Sequence, residues 1–140
     1  MCIRDSPYLT LPGVDRRDWL VELPVSEQLD LDGRGLPAGE RRPIEIPTAP
    51  LGDRTYDDLF LAPAGGAPFA LSGGGRRIEL TMDEAFPYSQ IYAPEGQALI
   101  AIEPMTTATD ALITGDSLTH AAPGQDFVAS FTITVAADAE

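Results

Sequence analysis

The chain has no lysine, and all nine of its basic residues are arginine. A Schiff-base lysine and the lysine of a phosphate-binding loop are therefore excluded within these 140 residues. Cys2 is the single cysteine, so the chain cannot form an internal disulfide or a cysteine-based metal cluster. His120 is the single histidine, which excludes a metal site built from several histidines. No metal and no cofactor is expected.

Positive charge and long apolar runs are also scarce. The 22 acidic residues outnumber the basic ones and give a net charge of −13, so we expect neither nucleic acid nor an anionic membrane surface as a partner. No apolar run approaches the roughly 20 residues that span a bilayer. Hydrophobic residues make up 44% of the chain, which is enough for a packed core. No secretory signal is evident, and we expect a cytoplasmic location.

The first six residues, MCIRDS, do not match the composition or the pattern of the rest. They have no hydrophobic period and end abruptly at Pro7, as a translated cloning or sequencing junction would. We therefore predict that residues 1–6 are a non-native leader and that residues 7–140 form one domain or the carboxy-terminal part of one.

Short segments rich in β-branched and aromatic residues follow at regular intervals, separated by glycine and proline turns. This pattern predicts an all-β, antiparallel sandwich. Strands are predicted over 18–23, 28–31, 43–46, 56–61, 68–71, 77–82, 89–92, 98–102 and 127–135, and one loop over 33–39. The segment 47–52 is expected to cross the surface, and 105–112 to form an ordered loop.

Glu103 is the first candidate for a functional side chain. It follows the apolar run 98–102 and precedes Pro104, which restricts Glu103 to extended geometry. We expect the strand to end there and to present the carboxylate at the rim of the sheet. An exposed glutamate at a strand end is the alternative interpretation.

Two further groups of polar side chains could bind a sugar. Asp57 and Asp58 are adjacent on a predicted strand, so one of them faces a cleft and the other faces away. A turn in which both cap backbone N–H groups is equally compatible with the sequence. Tyr88, Gln90 and Tyr92 alternate and share one face, and an aromatic ring beside an amide suits carbohydrate. Ordinary strand packing would give the same alternation.

Three other polar or aromatic residues carry weaker expectations. Trp19 fits a buried core position better than a sugar platform. His120 precedes a turn, where a histidine is usually solvated. Asp110 either caps its own loop or positions Glu103.

Several stretches together resemble the carboxy-terminal half of the aldose 1-epimerase (galactose mutarotase) family. They are PYLTLPG at 7–13, YDDLF at 56–60, PYSQIYAP at 87–94, EPMTTATDA at 103–111 and PGQ at 123–125. The resemblance implies a large antiparallel β-supersandwich that interconverts the α and β anomers of a free aldohexose, such as galactose or glucose, without a cofactor. It leaves the sugar and the oligomeric state open.

The resemblance also implies a role for individual residues. Glu103 matches the general base that takes the proton from the C1 hydroxyl. Asp57 matches the aspartate that holds sugar hydroxyls, with Asp58 as the alternative. Gln90 and Tyr92 fall in the strand beside the sugar cleft.

The chain departs from the family pattern at the general acid, the histidine that protonates the ring oxygen of the sugar. The family's histidine directly precedes the proline and tyrosine that stand here as Pro7 and Tyr8, and this chain has Ser6 there. The family's second histidine and its substrate arginine belong to the amino-terminal half. We therefore expect an epimerase fragment that has the base and lacks the acid, and an exposed apolar face. The alternatives are a non-catalytic carbohydrate-binding sandwich and a related sugar-phosphate epimerase.

Overall fold

In a computed structural model, residues 1–62 and 66–137 are described, and they form two antiparallel β-sheets. The strands are β1 (Tyr8–Leu9), β2 (Leu20–Glu22), β3 (Glu27–Leu31), β4 (Pro37–Pro43), β5 (Ala49–Pro50), β6 (Tyr56–Leu61), β7 (Phe69–Gly73), β8 (Arg76–Met82), β9 (Tyr88–Ala93), β10 (Ile100–Met105) and β11 (Phe131–Ala137). One turn of 3-10 helix (Arg16–Asp18) and one short helix, α1 (Ala111–Thr114), complete the elements. The all-β sandwich predicted from the sequence is confirmed.

The first sheet has six strands in the order β1-β10-β9-β6-β3-β4, and the second has five in the order β11-β8-β7-β2-β5. The core lies between them. Its largest fully buried side chains include Trp19, Phe60, Phe69, Leu11, Leu51, Leu71, Leu80, Ile91, Ile100 and Ile102. Trp19 is 0% exposed, and its indole N–H donates to the Val14 carbonyl at 3.1 Å, so it is a core residue and not a sugar platform. Among the described helices, none has the length and apolar character that crossing a bilayer would require.

Pro104 does not end its strand, contrary to the sequence prediction. β10 continues through Glu103 and Pro104 to Met105. The Pro104 carbonyl accepts from the backbone N–H of Asp5 at 3.3 Å, so the missing N–H of Pro104 faces the amino-terminal segment and leaves the ladder between β10 and β9 intact. Glu103 therefore lies within the sheet and not at its rim.

Other predictions also differ from the structure. The ordered loop predicted over 105–112 is shorter, because Met105 belongs to β10 and α1 begins at Ala111. β4 runs over Pro37–Pro43 and not 43–46, and it takes up part of the predicted loop. The segment before Trp19 is a 3-10 turn, because the Asp15 carboxylate accepts from the backbone N–H of Arg17 at 2.9 Å. Leu51 is fully buried although its segment was expected at the surface. The predicted strand 127–135 is shifted, and β11 spans Phe131–Ala137.

Candidate functional site

The candidate site is a cleft of about 610 Å³ on the face of the six-stranded sheet that points away from the core. Its lining residues are Arg4, Tyr8, Leu31, Asp32, Gly33, Arg34, Gly35, Asp57, Gln90, Tyr92, Glu103 and Thr109. The register explains why the central polar groups meet. Glu103 lies opposite Gln90, and Tyr92 lies opposite Asp57, on three adjacent strands. Directly opposed residues point to the same face, so the four side chains share one patch.

Glu103 is the most buried acid of the cleft, with 6% of its surface exposed. Its Oε2 atom is buried and accepts no hydrogen bond from the described residues. The Nε atom of Arg4 is 3.4 Å from Oε2 and contributes an ion pair without hydrogen-bond alignment. A buried carboxylate oxygen without a donor is unfavourable, and a ligand hydroxyl at this position would relieve the cost.

Asp57 and Gln90 form a connected pair beside Glu103. The side-chain amide of Gln90 donates to Asp57 Oδ1 at 2.9 Å across neighbouring strands. This hydrogen bond orients the Asp57 carboxylate, which is exposed and free to accept hydroxyl groups through its other lone pairs. Tyr92 stands next to Asp57 on the same face and supplies an apolar ring.

Asp58 points to the opposite face of the sheet and does not line the cleft. Its carboxylate accepts from the side-chain amide of Gln28 at 2.7 Å and from the backbone N–H of Asp57 at 3.2 Å. The two adjacent aspartates are therefore separated by the pleat of β6, with only Asp57 beside Glu103.

Tyr88 alternates with Gln90 and Tyr92 as expected, but it is buried and lies outside the cleft lining. It packs with Leu29, Leu59, Met105 and Ala108 in a second apolar cluster. Its hydroxyl contacts Arg41 at 3.2 Å and Ser117 at 3.0 Å. Tyr88 therefore belongs to the apolar cluster beside the cleft and does not line the cleft itself.

His120 and Asp110 are also absent from the cleft lining. His120 is exposed in a loop. Asp110 adopts a left-handed conformation, with φ of 70°, directly before α1, and its side chain makes no capping hydrogen bond. Neither residue contributes to the arrangement around Glu103. Among the described residues, no group of three or more metal-ligating side chains comes together.

One wall of the cleft was missed by the sequence analysis. It is the turn Asp32–Gly35, where Asp32 Oδ1 accepts from the backbone N–H groups of Arg34 and Leu36 at 2.8 and 3.1 Å. These backbone hydrogen bonds and the Arg34 side chain hold the pKa of Asp32 below its ordinary value. The composition of the turn predicted a loop, but nothing in the sequence indicated that β3 pairs with β6 and so brings the loop to Asp57.

The amino-terminal segment runs antiparallel to β10 in one continuous register. Arg4 lies opposite Met105, and Tyr8 lies opposite Ala101. The backbone hydrogen bonds from Asp5 to Pro104 and from Ile102 to Pro7 agree with this register. Ser6 is therefore opposite Glu103, in a non-hydrogen-bonded pair whose Cα atoms are typically about 4.5 Å apart.

The fold is that of galactose mutarotase-like and aldose epimerase-related structures. A galactose mutarotase-like protein from Clostridium acetobutylicum matches 98% of this chain with a TM-score of 0.82 and 13% identity. A GalM/aldose epimerase homologue from C. elegans matches 99% of this chain with a TM-score of 0.79 and 15% identity. The chain spans about half of these structures, covering 48% and 52% of their lengths. No protein-family model and no curated protein sequence matches the chain.

Proposed function

We propose that the cleft around Glu103 binds a free aldohexose and that Glu103 is the general base of an aldose 1-epimerase of which residues 7–140 are the carboxy-terminal part. The observation that carries the proposal is the buried Oε2 of Glu103, which accepts no hydrogen bond from the described residues and lies beside the Gln90–Asp57 pair. A sugar hydroxyl donates a hydrogen bond, so it suits the carboxylate oxygen that lacks a donor.

In the proposed reaction, Glu103 takes the proton from the C1 hydroxyl while an acid protonates the ring oxygen. The ring opens to the aldehyde, the C1–C2 bond rotates, and reclosure from the other face of the carbonyl gives the other anomer. Asp57 accepts hydrogen bonds from sugar hydroxyls, Gln90 orients Asp57, and Tyr92 packs against the C–H face of the ring.

In this proposal the general acid is a histidine at position 6 of the native protein. Residues 1–6 of this chain are a non-native leader that puts Ser6 in its place. A histidine there would stand directly across from Glu103 on the face of the cleft, because of the register between residues 4–9 and β10. The chain with Ser6 lacks this acid, so it is expected to bind the sugar and to be inactive as an epimerase. Loss of one acid or base typically costs roughly 10²–10⁴ in rate.

A Ser6→His variant tests this assignment in the chain as it exists. Mutarotation of freshly dissolved α-galactose and α-glucose, followed by polarimetry, is expected to accelerate over the unchanged chain. The double variant Ser6→His, Glu103→Gln should lose that gain. An equal rate in the single and the double variant would contradict the role of Glu103.

A non-catalytic carbohydrate-binding module is the second candidate, favoured by the Ser6 position. Its signature is saturable sugar binding without any gain in the Ser6→His variant. A sugar-phosphate epimerase is the third. It requires a cationic phosphate clamp, but the two arginines that line the cleft are already paired, Arg34 with Asp32 at 2.9 Å and Arg4 with Glu103.

A further inference from the structure

Tyr8 lines the cleft around Glu103, and the proposed reaction leaves its aromatic ring unused. It is the residue that β1 contributes to the lining. The next residue, Leu9, is buried in the core, so the pleat of β1 turns the side chain of Tyr8 to the outer face of the sheet. Tyr8 is 56% exposed there, so most of its ring is available to a ligand.

Tyr8 and Tyr92 stand on either side of Ala101. Each of the two tyrosines lies directly opposite Ala101 on a neighbouring strand, so all three residues share the outer face. Ala101 is fully buried, and the cleft is therefore faced by the two rings and not by its methyl group. The hydroxyl groups of both rings make no hydrogen bond within the part of the chain that the structure describes, whereas those of Tyr56 and Tyr88 each contact an arginine. Tyr8 and Tyr92 are thus the two tyrosines that are open to a ligand.

The register places these two rings one step along the strands from the proposed acid and base. Position 6 and Tyr8 are two residues apart on the amino-terminal segment, and Glu103 and Ala101 are two residues apart on β10. Two residues of a strand span roughly 7 Å. A hexopyranose whose C1 end lies between Glu103 and position 6 therefore extends toward Tyr8 and Tyr92 with its other end.

The positions of the acid and the base determine which edge of the sugar faces Tyr8, and this step rests on the proposed function. Glu103 takes the proton from the C1 hydroxyl, and the acid at position 6 protonates the ring oxygen. The ring oxygen is bonded to C1 and to C5, and C5 carries C6. The edge formed by the ring oxygen, C5 and C6 therefore lies along the amino-terminal segment, where Tyr8 is the next side chain on the same face. The edge formed by C2 and C3 lies toward Gln90 and Asp57.

We propose that Tyr8 packs against C6 of the bound sugar and makes the cleft selective for aldohexoses over aldopentoses. The pyranose form of an aldopentose has no C6, so it leaves the ring of Tyr8 without a contact. Burial of one CH₂ group improves affinity about fourfold. Tyr92, on the other side of Ala101, contacts the pyranose ring itself, which both classes of sugar share.

The test compares sugars that differ only at C6, with dissociation constants from NMR titration of the 140-residue chain. D-xylose is D-glucose without C6, and L-arabinose stands in the same relation to D-galactose. We expect each hexose to bind at least about fourfold more tightly than its pentose. Tyr8→Ala should weaken the hexoses alone and bring this ratio close to one, and Tyr8→Phe, which keeps the ring, should preserve the ratio. Tyr92→Ala is the matched control, because it should weaken all four sugars by a similar factor.

The outcomes separate this inference from the proposed function. Equal affinities for hexose and pentose in the unchanged chain would refute the role of Tyr8 and leave a sugar cleft at Glu103 in place. The same would follow if Tyr8→Ala kept the ratio of the unchanged chain. Absence of binding by all four sugars would contradict the proposed function and this inference with it. Because Tyr8 is exposed, Tyr8→Ala is expected to fold, and the amide spectrum of the sugar-free variant checks this.

Discussion

Gln90 donates a hydrogen bond of 2.9 Å to Asp57 across two neighbouring strands, and this contact fixes the only aspartate of the YDDLF segment that lines the cleft. The adjacent Asp58 is held by Gln28 on the opposite face. Two neighbouring carboxylates of the same type thus occupy different environments, and they form a matched pair for mutagenesis.

Asp57→Asn is expected to weaken galactose binding about tenfold or more, because hydrogen bonds to a charged group contribute roughly 1.5–3 kcal/mol. Asp58→Asn should leave affinity within about twofold, since Asp58 does not line the cleft. Isothermal titration or NMR titration of the two variants gives the comparison. Equal losses in both variants would place the sugar elsewhere.

The ion pair between Glu22 and Arg77 should make stability depend on pH. The hydrogen bond from Arg77 holds the pKa of Glu22 below its ordinary value of 4.5. A carboxylate with a lowered folded-state pKa stabilises the fold above about pH 4.5, and that contribution disappears as the pH falls through the folded-state value. Arg77 also donates to Glu79 at 2.7 Å, so the three charges form a small network on the second sheet.

Glu22→Gln should therefore lower the melting temperature at pH 7 and have little effect near pH 3. The expected loss is about 1 kcal/mol or less, since the pair is partly exposed. Glu45→Gln is the control, because Glu45 is exposed and makes no ion pair among the described residues. If Glu22→Gln lowered the melting temperature by the same amount at both pH values, the electrostatic explanation would be refuted.

The hairpin tip between β7 and β8 offers a steric prediction. Gly74 and Gly75 both have positive φ, of 57° and 69°. A Cβ atom at Gly74 would be 2.6 Å from Val14 Cγ2, whereas one at Gly75 would meet no atom within 4 Å. Gly75→Ala should cost about 1 kcal/mol for the left-handed backbone alone, and Gly74→Ala roughly 1–3 kcal/mol more. The urea unfolding midpoints of the two variants measure these costs. Equal costs would show that the Val14 side chain moves away from the new Cβ atom without loss of stability.

Alternating side chains allowed several strands and part of the site to be predicted from sequence. The predicted strand 77–82 corresponds to β8. The alternation of Gln90 with Tyr92 predicted that the two side chains share one face, and in the structure this face also carries Glu103. The sequence could not show that the missing N–H of Pro104 faces the amino-terminal segment, so the strand end was predicted wrongly. The sequence also did not reveal the order of the strands. The contribution of the Asp32–Gly35 turn to the cleft could therefore not be predicted, because it depends on the pairing of β3 with β6.

The most direct test of the proposed function is an NMR titration of the chain with galactose and with glucose, with sucrose as a non-reducing control. We predict saturable shifts of the backbone amides of Asp57, Gln90, Tyr92 and Glu103 and of the side-chain amide of Gln90, with His120 and β11 unaffected. Absence of shifts at these four positions up to the solubility limit of both aldoses, or shifts confined to another surface, would contradict a sugar cleft at Glu103.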